Sequence, residues 1–144
     1  TVNIYMEEQG RIFAAENLIK GEEFLDKNSQ DANVIVTSSG LQYKILEKGV
    51  GTIHPQATDT VTVHYHGTII DGTVFDSSVE REEPATFALN RVIPGWTEGV
   101  QLMNKGDKFR FFIHPDLAYR DRGAGEIILP NSVLVFDVEL ISIN

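Results

Sequence analysis

Two hydrophobic rhythms run along the 144 residues, and one gives way to the other near residue 35. In IYMEEQGRIFAAENLIKGEEFLDK, residues 4–27, apolar side chains at Tyr5, Ile12, Ala15 and Ile19 fall on one face of a helix. The segment is rich in helix formers and contains no proline. A second stripe, Met6, Phe13 and Phe24, projects about a third of a turn away, so at about 3.6 residues per turn this helix needs neighbours on two sides. Gly10 and Gly21 each weaken an exposed helix by roughly 1 kcal/mol relative to alanine, which argues against its standing alone in water. The pattern fits the end of a longer stalk or dimerisation arm; a terminal helix folded back on its own domain is the plainer alternative.

From Lys27 to Gly40 the chain turns to Asn, Ser, Asp and Thr around Val34-Ile35-Val36, which reads as a hinge leading into a first strand. The expected division is an arm and hinge over residues 1–37 and a domain over 38–144. Beyond it the segments LQYKILE, VTVHYHGTII, PATFAL, KFRFFI and VLVFDVELISI have strand character. Asp71-Gly72 predicts a hairpin through a two-residue primed turn, and Lys105-Gly106-Asp107 turns similarly into KFRFFI. Only Ile93 to Met103 breaks the pattern. Pro94 suits a first helical position, and Trp96, Val100 and Met103 follow at i, i+4 and i+7. The predicted fold is α+β: an antiparallel sheet curled around one short helix, preceded by a helical arm.

Composition narrows the function. A 42% hydrophobic content supports a real core, and the absence of cysteine excludes disulfides, thiol catalysis and thiolate metal sites. Twenty-one acidic against twelve basic residues give a net charge of -9, which repels nucleic acid and anionic membranes. No apolar run approaches the ~20 residues of a membrane span, and no signal-peptide pattern is present. Thr1 in place of an initiating methionine suggests a processed or shortened chain. Nucleophile-elbow, His-Glu-x-x-His and Walker patterns are absent, and RGAGEI at 122–127 lacks the third glycine and helix of a dinucleotide loop. His64 and His66 share a strand face, but two histidines without a third ligand read as solvent-facing strand residues, not as a metal site. His54 and His114 each precede a proline and read as turn residues.

What remains is a set of apolar and aromatic residues at element edges: Tyr65, Phe75, Val92, Ile93, Trp96, Tyr119, Ile127, Ile128 and Phe136. Each is core by default, and periodicity alone leaves Tyr65 and Phe136 divided between core and pocket. Asp76 has a plain reading too, since Asp-Ser-Ser commonly closes a local turn. PDLAYRDRGAGEIILPN, residues 115–131, says more: a long glycine-punctuated loop carrying Tyr, Ile and Leu is costly to leave in water and suggests an apolar rim around a pocket.

In this order, VTVHYHGTIIDGTVFDSS, VIPGWTEGVQLM, the PDLAY opening and PNSVLVFDVELI closely resemble the FKBP-type peptidyl-prolyl cis-trans isomerases, over about residues 38–144. AAENLIKGEEFLDKN followed by SSGLQYKILEKG is similar to the bacterial Mip, FklB and FkpA branch, in which a long helical region makes a dimer. The resemblance implies an antiparallel half-barrel wrapped around the short helix. It also implies a proline pocket of Tyr65, Phe75, Asp76, Trp96, Tyr119 and Phe136, with Val92, Ile93, Ile127 and Ala85 contacting ligand and Trp96 as the floor. The Ile93 N–H and the Tyr119 hydroxyl would hold substrate carbonyls. Ala85 stands where some members carry a wall phenylalanine, which implies a wider groove. Arg120 replaces a usual glycine, Ala124 sits near a position often held by histidine, and Leu129 replaces a proline, so loop conformation and substrate preference are affected more than the reaction.

The expected function is therefore isomerisation of Xaa-Pro bonds in folding polypeptides, without metal or cofactor, with binding of rapamycin-type macrolides in the same pocket. The alternative is a chaperone or interaction module that holds proline-containing segments with little turnover. A homodimer through the arm and a bacterial periplasmic or envelope location are expected on the same grounds, with the cytoplasm kept open.

Overall fold

The computed structural model describes residues 2–119, 128 and 131–144, with side chains from Ala15 onward. A helix, α1 (Val2–Asn28), leads into β1 (Val34–Val36), β2 (Gln42–Glu47) and the long β3 (Thr60–Ile69). There follow β4 (Val74–Ser77), β5 (Ala85–Ala88), a 3-10 turn over Leu89–Arg91, α2 (Pro94–Val100), β6 (Lys108–Ile113), a second 3-10 turn over Pro115–Leu117, and β7 (Leu134–Ile143). The pairings among the described strands are antiparallel, in the order β1-β2-β6-β7-β3-β4. The edge of β3 away from β7 is shared, with β5 against Thr60–Val63 and β4 against His66–Thr68.

Period-two burial on the long strands shows why the sheet curls over one face. Val61, Val63 and Tyr65 of β3, Phe109, Phe111 and Ile113 of β6, and Leu134, Phe136, Val138 and Leu140 of β7 all point into one core. α2 lies on that core through Trp96 and Val100, with Met103 just beyond it. Seven residues are too few for a helix to hold itself in water, so packing must supply its stability. Glycine makes that packing close: a Cβ at Gly95 would stand 2.7 Å from Ile113 and one at Gly99 2.6 Å from Phe111, so the helix backbone sits directly on β6. The Thr97 hydroxyl, donating to the Leu89 carbonyl at 2.8 Å, ties the helix to the preceding turn.

Three local expectations change. The hairpin at Asp71-Gly72 is not a primed turn: only Gly72 has positive φ, +92°, while Asp71 does not. The Gly72 N–H reaches the Ile69 carbonyl at 3.0 Å, the Ile69 N–H reaches Thr73, and the register slips between Gly67 and Thr68. This is the longer turn closed by a left-handed glycine bulge, and the Asp71 carboxylate stabilises it by accepting from the Thr73 amide at 2.8 Å. Next, Val34–Val36 is itself a strand, paired with β2.

Lastly, the described part of the helical stripe read from Ile19 faces water, since Ile19 is 58% exposed. α1 instead meets the sheet through Gly21, Phe24, Leu25 and Asn28, on the face opposite the main core. Leu25 packs with Phe112 and Val133, and Phe24 joins them. Gly21 is where the surfaces touch, its missing Cβ leaving room for Val133, which would stand 2.6 Å away. The buried Gln42 then caps the helix end, donating to the Leu25 carbonyl at 2.9 Å and accepting from Asn28 at 2.8 Å.

Gly99→Ala tests the helix–sheet contact by its sign. On an exposed helix the change would stabilise by about 1 kcal/mol; against Phe111 overpacking dominates, and we expect a net loss of about 1–2 kcal/mol, read from urea unfolding at an unchanged m-value.

Candidate functional site

A cavity of about 460 Å³ opens at the end of the core where α2 begins. Its described lining is Tyr65, Phe75, Asp76, Phe87, Arg91, Val92, Ile93, Trp96, Tyr119 and Phe136. The rings meet at their edges. Trp96 stands 5.4 Å from Tyr65 at 84°, 5.2 Å from Phe136 at 88° and 5.7 Å from Phe87 at 83°, while Phe75 meets Phe136 at 5.3 Å and 90°. Edge-to-face contact is the geometry that aromatic quadrupoles prefer, so these rings brace one another as fixed walls.

Backbone register explains the convergence. Tyr65 and Phe136 are inward residues on neighbouring strands, and Phe136 lies opposite Gly67. A Cβ on Gly67 would come within 2.7 Å of Phe75 and 2.8 Å of Phe136, so the bare glycine makes space for both rings. Pro94 does the same service at the helix start. It occupies the first helical position and holds the residue before it in extended conformation, which Ile93 shows with ψ 149°. The chain therefore runs extended through Val92 and Ile93 along the cavity and turns into helix just as Trp96 arrives beneath them. The Ile93 carbonyl accepts from the amides of Trp96 and Thr97, whereas its own N–H has no partner among the described residues.

Polar groups gather on one side. The Tyr65 hydroxyl donates to the Asp76 carboxylate at 2.5 Å, Arg81 forms an ion pair with Asp76, and the Arg81 guanidinium also donates to the Tyr65 hydroxyl at 3.0 Å while lying 5.7 Å from the Tyr65 ring centre. Burial pushes the Asp76 carboxyl upward, but the hydrogen bonds from Tyr65 and Arg81 and the Arg81 charge outweigh it and hold the group below the ordinary carboxylate range. The Tyr65 phenol is raised, first by burial and then by its bond to Asp76. Asp76 is thus an anionic acceptor engaged by two donors. The turn-closing role falls to Ser77, and Ser78 instead ties the segment to β3. The Ser77 hydroxyl accepts from the Glu80 amide at 3.1 Å, and the Ser78 hydroxyl accepts from the Tyr65 amide at 2.7 Å.

Of the residues singled out in the sequence, Tyr65, Phe75, Asp76, Val92, Ile93, Trp96, Tyr119 and Phe136 line one cavity. Ile127, with Arg120, Ala124 and Leu129, lies outside the described residues. Ala85 is absent from the described lining: it pairs with Val63 at the start of β5, and Phe87, two residues on along the same face, stands against the cavity. Phe87, Arg91, Gly67 and Arg81 are additions. Phe87 was readable as the inward partner of Ala85 at strand period, and Gly67 as an interior strand glycine that marks a close approach. Nothing local marked Arg81, whose partners are 5 and 16 residues away. His64 and His66 are half-buried and not simply solvent-facing, each with Nδ1 at a serine hydroxyl, Ser78 and Ser77.

With this geometry in place, the comparisons with known proteins fall on the same residues. Residues 51–141 match the family described as FKBP-type peptidyl-prolyl cis-trans isomerase, and residues 2–45 match the domain amino terminal to it. The FKBP-type peptidyl-prolyl cis-trans isomerase FkpA of Aeromonas hydrophila is 60% identical over 90% of this chain and 48% of its own length. The outer membrane protein MIP of Legionella longbeachae is 50% identical over 90% of the chain and 55% of its own length. The crystal structure of FkpA from Escherichia coli superposes with a TM-score of 0.91 at 45% identity, covering 96% of this chain and 64% of that one. The chain thus spans about half the length of the curated relatives it matches. Matched along most of its length in sequence and in backbone, this chain belongs to the FKBP-type peptidyl-prolyl cis-trans isomerases.

Proposed function

We propose that the aromatic cavity is a proline-binding site in which Xaa-Pro bonds of other polypeptides rotate between cis and trans. The observation that carries this is the cage of Tyr65, Trp96 and Phe136, an aromatic-walled cavity braced by edge-to-face contacts, with extended backbone along its rim. Rotation breaks no bond: the amide loses its resonance as it twists, over a barrier of roughly 18–20 kcal/mol. The planar amide is more polar and better hydrated than the twisted one, so a cavity that excludes water penalises the ground state more than the transition state. Each ~1.4 kcal/mol of that difference gives a tenfold rate gain.

Ring and shape come from Tyr65, Phe75, Phe87, Val92, Ile93, Trp96 and Phe136. Orientation comes from the Ile93 N–H and the Tyr119 hydroxyl as donors to substrate carbonyls, with Asp76 holding Tyr65 in place at the edge. The same apolar shape suits rapamycin-type macrolides. Residues 1–37 serve as the arm and residues 38–144 as the isomerase unit, with α1 extending into a dimer interface in the full-length protein. Its exposed Ile19 supports that reading. The FkpA and MIP relatives favour an envelope or periplasmic location, and no described helix is long and apolar enough to cross a membrane.

Three outcomes are expected. In a cis-trans exchange assay on an Xaa-Pro peptide, the chain accelerates exchange and rapamycin competes. Phe136→Ala lowers kcat/KM at least about tenfold, as loss of some 1.4 kcal/mol of differential stabilisation requires. Asp76→Asn, which preserves volume, keeps the fold by circular dichroism while lowering the rate. Peptide binding without acceleration would instead favour the holding module.

The pH profile follows from the polar trio. Because the Asp76 pKa is depressed, its contribution is complete above the ordinary carboxyl range near pH 4 and disappears only as pH falls through the lower folded value. The raised Tyr65 phenol stays protonated past about pH 10. kcat/KM should therefore be flat between about pH 5 and 9, and Arg81→Ala should move the acid limb upward by removing cationic support. Sedimentation of the chain tests the arm: a dimer whose association weakens on Ile19→Asp is expected.

A further inference from the structure

We propose that Arg91 makes this cavity selective for proline-containing segments that carry an aspartate or glutamate close to the proline; the inference rests on the proline-site reading above. Among the described residues, two cations stand near the cavity, and their circumstances differ. Arg81 is neutralised by Asp76 and tied to the Tyr65 hydroxyl. Arg91 lines the cavity and is exposed, and its guanidinium has neither hydrogen bond nor ion pair with any described residue. Asp76 is the only carboxylate in the described lining, and Arg81 already balances it. Among the described lining residues, the mouth therefore presents one positive charge without a carboxylate partner, on a chain whose net charge is -9.

Position gives that charge its use. Arg91 closes the 3-10 turn and immediately precedes Val92 and Ile93, the extended pair that runs along the cavity. An extended peptide advances about 3.3–3.6 Å per residue, so a side chain rooted at this rim reaches the residues one or two places from a bound proline and not the ring itself. A guanidinium is the group best suited to a carboxylate there, since its planar fork forms paired charge-assisted hydrogen bonds. Because the contact lies away from the rotating bond, it strengthens ground state and transition state alike and appears in KM, not in kcat. A rim charge also acts on encounter, so the preference weakens with salt.

The test is a set of peptides identical except for Glu, Gln or Lys at the position two before proline, and a second set varied immediately after it. We expect Glu to exceed Gln in kcat/KM by about two- to fivefold at low salt in at least one set, the range of an exposed ion pair, with Lys below Gln. The difference should sit in KM and shrink towards unity in about 1 M NaCl, where the Debye length is ~3 Å. Arg91→Gln should bring the Glu-to-Gln ratio close to one, and Arg91→Glu should invert the order in favour of Lys. Because the readout is a ratio within one protein sample, a general loss of folding moves all peptides together and leaves it intact. Equal rates for Glu, Gln and Lys in the unaltered chain, or a ratio that survives Arg91→Gln, overturns the inference while leaving isomerase activity standing. No acceleration of the Gln peptides removes the proline-site reading itself.

Discussion

The structure depends on a close contact between a helix too short to stand alone and the strand beneath it. α2 has seven residues, and Gly95 and Gly99 let its backbone settle on Ile113 and Phe111 with no side chain between. That contact fixes the depth at which Trp96 enters the core, and hence the depth of the cavity floor. Tyr65, Phe87 and Phe136 meet Trp96 edge-on from three strands, so stability and site share the same atoms. A residue that brought α2 further from the sheet would widen the cage as it loosened the core.

Glycine also works at the second surface of the sheet. Gly67 clears space for Phe75 and Phe136 inside, and Gly21 clears space for Val133 where α1 docks outside. Gln42 completes that outer joint by accepting from Asn28 and donating to the end of the helix. The helix α1 is thereby joined to the sheet by packing and a buried polar cap, with β1 paired onto β2 close by. Electrostatics follow a similar economy at the cavity mouth: the charge of Asp76 is balanced by Arg81, and among the described lining residues Arg91 is left without a carboxylate partner.

Much of this was legible because it depends on short-range rules. Period-two alternation placed Tyr65 and Phe136 on inward faces, Pro94 marked the helix start, and the order of motif blocks named the family. Where reading failed, the cause was a contact remote in sequence. Asp71-Gly72 has the composition of a primed turn, yet the bulge between β3 and β4 adds a residue and selects another loop. Phe24, read in the second stripe, packs on the sheet, but Ile19, periodic with Tyr5, Ile12 and Ala15, does not; the docking face is chosen by where a glycine allows approach, so Gly21 and Leu25 join Phe24. Phe87, which the sequence reading did not single out, is set against the cavity by the register of β5.

By itself the sequence determined the strands, the short helix, the family and the residue types that line an aromatic cavity, because periodicity, proline and motif order are properties of neighbours along the chain. Only the tertiary structure decided that Arg81 neutralises Asp76, that Arg91 has no partner among the described residues, and that Gly67, Gly95 and Gly99 set the spacing of the walls. Charge balance and clearance are distances between residues far apart in sequence, and those distances exist only once the sheet has closed around the helix.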